Sequence, residues 1–350
     1  MGYSVLSPFV IPPELRRRKR VNVGDGFILD AIQKLLAPHR CEFVLTTRRA
    51  LTDEETAQVN STKALILAGA NLLSDDFQIA RGMDRARMNR IHVPIVPFGI
   101  GASGVPQQNR EMSASAREVL RAIHERTRFS GWRCVLTLRY LSESLPELAD
   151  HFLMTGCPVQ YGEPILTGAP FPAEPRSVAV TVTERHEFWE RETATLDFVA
   201  RRFGSCARHL VLHEVFRDPP FSVAPQRLRK FFQTRGKTPS ALRKYAAARG
   251  FQVVLPDSVD QCLSLYRSCD WHIGSRVHAH LYFLSQARKT FLTRVDDRST
   301  GFAMTLGFPL CDPAHLEQHL DFDFEICRAA CRQHYAVMQQ FVSHLKSEVL

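Results

Sequence analysis

Short apolar runs alternate with amphipathic helical patterns along this chain, and a proline-rich stretch interrupts the alternation once. The runs before the break include CEFVLTT and KALILAG, and those after it include SVAVTVTE and DWHIG. Runs rich in Val, Ile and Leu, separated by helices, predict parallel strands that helices cover on both faces. The break, EPILTGAPFPAEPRS at 163–177, holds four prolines in fifteen residues and predicts a linker.

This organisation predicts an α/β fold with two Rossmann-like, doubly wound domains that face each other across a cleft. We expect an N-terminal acceptor-side domain at 1–165 and a C-terminal donor-side domain at 175–320. The pattern at 321–350 predicts a long helix that packs back onto the first domain. Ligands of such sheets bind outside the carboxyl ends of the strands, so the cleft is the expected active site.

Charge and composition restrict the partners. A formal net charge of +9 favours anionic partners such as phosphates, acidic glycans or a lipid headgroup surface. No helix-turn-helix, zinc-finger or RNP pattern predicts nucleic-acid binding, and no His, Asp or Glu set has metal-ligand spacing. The N-terminal basic cluster follows the apolar stretch instead of preceding it, so we expect a cytoplasmic protein, with peripheral contact at the inner membrane face as an option.

The stretch SRVHAH at 275–280 is the strongest candidate site. It lies where a predicted strand passes into a helix, a junction that favours anions because its backbone N–H groups lack partners. Arg276 offers a fork for carboxylate or phosphate oxygens. His278, two residues later, is the candidate general acid, since a neighbouring anion would help it keep a proton. His272 and His280 are weaker candidates.

Other strand–helix junctions supply candidate ligand groups. Asn22, Gly24 and Asp25 open the first helix and could bind an anion or sugar hydroxyls, or simply cap the helix. The basic segment RRRKR at 16–20 is either a solvated loop, as charge runs usually are, or a group at the cleft mouth between the first strand and the first helix, where it would bind the acceptor or a membrane surface. Arg139 and Arg185 are each predicted at the end of a strand, as further anion ligands.

Two glycine-rich segments follow buried runs of the first half. Gly69 ends ILAG, where a ligand or the facing domain could approach, although a plain strand end explains it equally well. Gly99 and Gly101 belong to PFGIGASG, whose G-x-G-x-x-G spacing lies outside the first strand–helix unit and is not followed promptly by a helix. The segment therefore predicts a glycine loop lining the cleft and not a dinucleotide site.

The order of these motifs resembles the polysaccharide pyruvyl transferase family from about residue 20 to 310. The segments that carry the resemblance are NVGDGFILDAI, ILAGANLL, VPIVPFGIG, LTLRYLSES, VAVTVTER and SRVHAHLYFLSQARKTFLTRVDDRSTGFAMTLGFP. The family's R-x-H falls on Arg276 and His278. The chain departs from the family pattern at Ala68-Gly69-Ala70 for a glycine triplet, Arg139-Tyr140 for Arg-Asp, Glu163-Pro164 for Asp-Pro, and Arg298 for a late lysine.

The resemblance implies a GT-B-like fold and transfer of a carboxyethylidene group from phosphoenolpyruvate to two hydroxyls of one sugar. It gives Arg276 a role in holding the donor, with Arg139, Arg185 and Arg298 beside it, and gives His278 the acid role. Asn22, Gly24, Asp25 and Gly69 would face a sugar or lipid-linked glycan acceptor. No cofactor is expected, because arginines can neutralise the donor phosphate. The alternatives are a GT-B glycosyltransferase that uses a nucleotide sugar and a non-catalytic basic scaffold in a glycan assembly complex; the sequence leaves the oligomeric state open.

Overall fold

The computed structural model describes residues 2–12, 22–102, 111–213 and 237–350. The strands are β1 Tyr3–Ser7, β2 Cys41–Thr46, β3 Leu65–Ala68, β4 Ile95–Phe98, β5 Ser130–Trp132, β6 Phe152–Met154, β7 Ser177–Thr181, β8 Ala207–Val211, β9 Gln252–Val254, β10 Trp271–Gly274 and β11 Thr290–Leu292. The α-helices are α1 Val23–Leu36, α2 Asp53–Asn60, α3 Arg85–Met88, α4 Ala114–His124, α5 Val135–Ser144, α6 Glu163–Thr167, α7 Trp189–Arg202, α8 Pro239–Ala247, α9 Val259–Ser268, α10 Val277–Ser285, α11 Asp297–Leu306 and α12 Glu325–His344.

The first sheet has the strand order β2-β1-β3-β4, and all of its pairs are parallel. A parallel bridge between Ile100 and Trp132 continues it to the parallel pair β5-β6. β1, β3 and β4 are buried along their whole length, which explains why their sequences are almost continuously apolar. The order reverses between β1 and β3, where a doubly wound sheet leaves a crevice.

The second sheet has the order β11-β10-β7-β8-β9 and is also parallel throughout. Its order reverses between β7 and β10, so these neighbouring strands send their following helices to opposite faces. The prediction of two doubly wound α/β units with a GT-B-like arrangement is confirmed. The first set of strands ends at Met154 and the second begins at Ser177; the predicted domain boundaries themselves stay a prediction.

The C-terminal helix crosses from the second unit to the first, as the sequence predicts. α12 begins beside Phe324, which packs on Phe291 of β11 at a centroid distance of 5.7 Å. Near its other end Phe341 packs on Phe98 of β4 at 5.2 Å. Beyond the helix, Lys346 Nζ donates to the Ala37 carbonyl at 2.6 Å. One helix therefore contacts the cores of both units.

Three segments of the first half differ from the sequence prediction. The run WRCVLTLR was expected to be one strand, but only Trp132 belongs to β5, and α5 starts at Val135. Thr137, Tyr140 and Leu141 are its buried face, a helical spacing that an apolar run of this length does not distinguish from a strand. In addition, the alternating pattern of the sequence predicts a helix over ESLPELADHFLMTG and a strand over CPVQYG. The structure has a 3-10 turn and β6 in the first segment and a 3-10 turn in the second.

None of the helices that the structure describes is both long enough and apolar enough to span a membrane.

Candidate functional site

A cleft of about 570 Å³, which includes space open to solvent, lies at the carboxyl ends of β7 and β10, where the second sheet reverses its order. Parts of the first unit close its other side. The described residues that line it are Asn22, Arg133, Thr183, Arg185, His213, Ser275, Arg276, Val277, His278, Val295, Asp296, Arg298 and Phe302. The cleft therefore contains four guanidinium groups and one carboxylate, a strongly cationic surface suited to an anion.

SRVHAH makes the passage from β10 to α10. Gly274 has φ of +149°, and a Cβ there would overlap the Thr181 carbonyl of β7, so only glycine fits where the two strands end. Next, the Ser275 N–H donates to the Thr181 carbonyl at 3.0 Å, and the Arg276 N–H donates to Thr181 Oγ1 at 3.2 Å. These contacts fix the start of α10, with Arg276 as its N-cap and His278 in its first turn.

Arg276 and His278 lie together in the cleft, as the sequence predicts. Arg276 Nε donates to the Val182 carbonyl at 2.8 Å, which anchors the guanidinium at the end of β7. Burial, together with the charges of Arg133, Arg298 and Arg276, lowers the pKa of His278 to about 3. The ring is therefore neutral near neutral pH in the structure as described. The predicted acid role of His278 depends on a neighbouring anion and stays a prediction.

The first turn of α1 meets this site from the first unit. The Asn22 side chain caps the helix by accepting from the Gly24 N–H at 3.1 Å, and the Val23 N–H donates to the His213 carbonyl at 3.1 Å. A Cβ at Gly24 would lie 3.0 Å from His213 Nδ1 and 3.1 Å from His278 Nδ1. Gly24 thus leaves the space in which two histidine rings approach the helix N-terminus, whose dipole favours an anion.

His213 is a cleft residue that sequence reasoning missed. It lies two residues beyond the end of β8, it is buried, and its Nε2 lies 2.6 Å from Tyr266 Oη. Burial lowers its pKa well below the ordinary value, and the charges of Arg276 and His278 act in the same direction. The signal in the sequence is a histidine directly after the apolar run HLVL. The pattern HLVLHEVF predicts one continuous strand, however, so it does not mark a strand end near His213.

Arg133 is the second residue that sequence reasoning missed. It follows β5 directly, so it occupies the carboxyl strand end that the sequence analysis assigned to Arg139. Arg139 itself lies within α5 and is exposed, and it does not line the cleft. The prediction for Arg139 is wrong because the apolar run after Trp132 forms a helix instead of extending the strand.

The remaining predicted arginines lie at the cleft. Arg298 Nε donates to Asp296 Oδ2 at 2.7 Å, and Asp296 caps α11 by accepting from the Arg298 N–H at 3.1 Å. Burial raises the pKa of Asp296, but the hydrogen bonds and charge of Arg298 outweigh burial and lower it overall. Arg185 is exposed at the cleft edge, and its N–H donates to Thr183 Oγ1 at 3.3 Å.

Several predicted candidates lie away from the cleft. Gly69 packs on the backbone of Gly99, which a Cβ would overlap, so its smallness serves strand packing. Asp25 lies half-buried in the first turn of α1. His272 and His280 are fully buried in the core, each with Nδ1 at 2.9 Å from Thr290 Oγ1. The basic segment 16–20 lies outside the described residues.

Among the residues that the structure describes, no group of three or more His, Cys, Asp or Glu side chains could hold a metal ion. The cationic groups of the cleft suit an anionic ligand.

Comparison with known proteins finds distant likenesses in fold. No protein-family profile and no curated protein matches the chain. The chain is similar to an S. aureus MnaA–UDP co-structure at 12% identity, with 98% of this chain and 96% of that one covered and a TM-score of 0.48. It is similar to a UDP-GlcNAc 2-epimerase from Neisseria meningitidis bound to UDP-GlcNAc at 9% identity, 97% and 98% coverage and a TM-score of 0.47. It is also similar to the wall teichoic acid polymerase TagF at 10% identity, 99% and 88% coverage and a TM-score of 0.44. The function is therefore argued from the site.

Proposed function

We propose that this protein is a transferase of glycan synthesis that takes a group from a phosphorylated, anionic donor and passes it to a sugar hydroxyl. The observation that carries the proposal is the cleft that brings His278 together with Arg133, Arg276 and Arg298, where the second sheet reverses its order. A cluster of positive charge around a group that exchanges protons suits a reaction in which an anion arrives and a phosphate leaves.

Donor binding would change the protonation of His278. Burial and then the three arginines lower its pKa, and an anion bound among the arginines would offset their charge, so we expect the pKa to rise when the donor binds. The histidine then takes up a proton with the donor and can deliver it next to the donor. In this way His278 can act as an acid only while the donor is bound, and it does not exchange protons unproductively at other times.

Phosphoenolpyruvate is the donor that we favour. It carries a carboxylate and a phosphate, and the cleft offers four guanidiniums against one carboxylate. The R-x-H of Arg276 and His278 also supports this donor through its resemblance to the pyruvyl transferases. In the reaction, His278 gives its proton to C3 of the donor while a first sugar oxygen bonds to C2. A second sugar oxygen then bonds to C2, inorganic phosphate leaves, and the two hydroxyl protons go to His278 and to solvent.

A nucleoside-diphosphate sugar is the second candidate donor. The observation that favours it is the position of the cleft at the reversal of strand order, which is where doubly wound sheets bind nucleotides. In this reaction Arg276 and the first turn of α10 would hold the diphosphate. His278 would then act as the base that takes the proton of the attacking hydroxyl, the role that its lowered pKa suits.

Thermal unfolding with ligand distinguishes the two donors. At about 100 times its dissociation constant, the true donor should stabilise the protein by about 2.7 kcal/mol, and the other donor should not. Phosphoenolpyruvate is compared with UDP, GDP and CMP sugars, and phosphate release is then measured with a panel of sugar acceptors. If none of these ligands raises the unfolding temperature, the proposed transferase function is wrong and the scaffold alternative gains support.

A further inference from the structure

Arg133 is a buried cation that forms no ion pair with any residue that the structure describes, and the carboxylate of Asp296 in the same cleft pairs with Arg298 instead. Its side chain is 2% exposed. Among the residues that the structure describes, no carboxylate lies within ion-pair distance of its guanidinium, and its buried Nε has no hydrogen-bond partner. Burial lowers the pKa of Arg133, which means that the charged form is disfavoured where it stands. A buried charge normally has a charged partner, so an absent one calls for an explanation.

The guanidinium is nevertheless held in one place by two contacts. One NH2 group donates to Asn71 Oδ1, and the charge lies over the Phe302 ring at 5.3 Å, while the backbone N–H of Arg133 donates to the Ile100 carbonyl at 3.1 Å. Gly101 leaves the space for the group, since a Cβ there would overlap it. These neighbours fix its position without neutralising it, and the residue lines the same cleft as His278.

We propose that Arg133 is an anion-binding residue of this cleft, supplied by the first unit to a site otherwise built mainly by the second, and that its counter-charge is the anionic group of the donor. The inference rests on the proposed function and adds a residue that no motif of the sequence assigns. It implies that the free protein tolerates an unpaired buried charge and that donor binding compensates it. It also implies that the donor contacts both units at once.

Arg328 provides a matched control within the same chain. It is 3% exposed, and its guanidinium lies 4.8 Å from the Phe171 ring, much as Arg133 lies over Phe302. Unlike Arg133, it pairs with Glu325 at 2.7 Å and donates to the Ile165 carbonyl at 3.0 Å. The two arginines share burial and an aromatic neighbour and differ in counter-charge.

The experiment compares Arg133→Met with Arg328→Met by thermal unfolding and by calorimetric titration with phosphoenolpyruvate and with UDP. We expect Arg328→Met to lower the unfolding temperature, because it leaves Glu325 and several carbonyls without their donor. We expect Arg133→Met to unfold at or above the wild-type temperature but to bind the anion about tenfold or more weakly, since a charge-assisted hydrogen bond is lost. Arg133→Lys keeps the charge without the fork and should fall between wild type and Arg133→Met in affinity.

Two results would overturn the assignment of Arg133 alone. One is an Arg133→Met protein that binds the anion as tightly as wild type does. The other is an Arg133→Met protein that loses stability as Arg328→Met does, which would make Arg133 a structural cation. If wild-type protein binds neither phosphoenolpyruvate nor UDP, the proposed function and the inference fail together, and this outcome is recognisable before any variant is made.

Discussion

The substitution Gly24→Ala is expected to lower turnover while it leaves the free energy of unfolding nearly unchanged. Its Cβ would lie 3.0 Å from His213 Nδ1, 3.1 Å from His278 Nδ1 and 3.2 Å from Asn22 Oδ1. Ordinary contacts between carbon atoms are about 3.5–4.0 Å, so the neighbours must move by a few tenths of an ångström. His213 is held from its other side by Tyr266 Oη at 2.6 Å, and the displacement therefore falls mainly on His278.

The expected change in stability is small. Alanine is favoured over glycine within a helix by up to about 1 kcal/mol, and crowding offsets part of that gain. The free energy of unfolding should thus stay within about 1 kcal/mol of wild type. Turnover should fall by about 10- to 100-fold, because misplacing a catalytic group by a fraction of an ångström to one ångström has effects of this order.

Urea unfolding and a phosphate-release assay measure the two quantities, and Gly26→Ala is the control. A Cβ at Gly26 would overlap Val259 Cγ2 and lie 2.8 Å from Phe9 Cε2, away from the histidines. Gly26→Ala should lose about 1–3 kcal/mol of stability by overpacking, while the folded protein keeps its turnover. A Gly24→Ala enzyme with native turnover, or one that loses as much stability as Gly26→Ala, would refute the geometry assigned to His278.

Three further predictions follow from single side chains. His278→Ala should lower kcat by about 10²- to 10⁴-fold and still bind the donor, whereas His280→Ala should lower stability and leave kcat unchanged. Phosphate release measures kcat, and calorimetry measures donor binding. A fully active His278→Ala protein would contradict this prediction. Burial lowers the pKa of His272 to about 3, so the folded state excludes a proton that the unfolded chain binds below about pH 6.5. The free energy of unfolding should therefore fall as pH drops from about 6.5 towards 3, and this group alone should account for a loss of about 2 kcal/mol at pH 5. Urea titrations at pH 8 and pH 5 should show a smaller loss of unfolding free energy for His272→Gln than for wild type. Arg139→Ala should leave donor affinity and stability unchanged, because the side chain is exposed on α5. Weaker donor binding by this variant would show that Arg139 belongs to the binding site.

The second unit could be predicted from sequence nearly strand by strand. The strands β7, β10 and β11 are short, mostly apolar and almost wholly buried, so their pattern leaves little choice. The junction at Arg276 and His278 was found for the same reason: a parallel strand that ends in glycine and passes into a helix places the next side chains at the ligand-binding edge.

The residues that were missed lie where local pattern is ambiguous. Arg133 lies just before VLTLRYL, whose apolar residues fit a strand as well as a helix. A strand over this run would end at Arg139, so the cation at the strand end was expected there and not at Arg133. The protonation of His278 is also beyond sequence, because it depends on Arg133 and Arg298, which are far from it along the chain. Only the folded arrangement shows that three cations surround this ring.

The chain passes between the two units twice, first in the segment between β6 and β7 and again along α12. The two units also pack directly on each other, since Phe27 of α1 lies against Tyr266 of α9 at a centroid distance of 6.1 Å within one hydrophobic core. Side chains of both units therefore lie side by side at the cleft, and a donor held between Arg133 and Arg276 would lie across the boundary between the units.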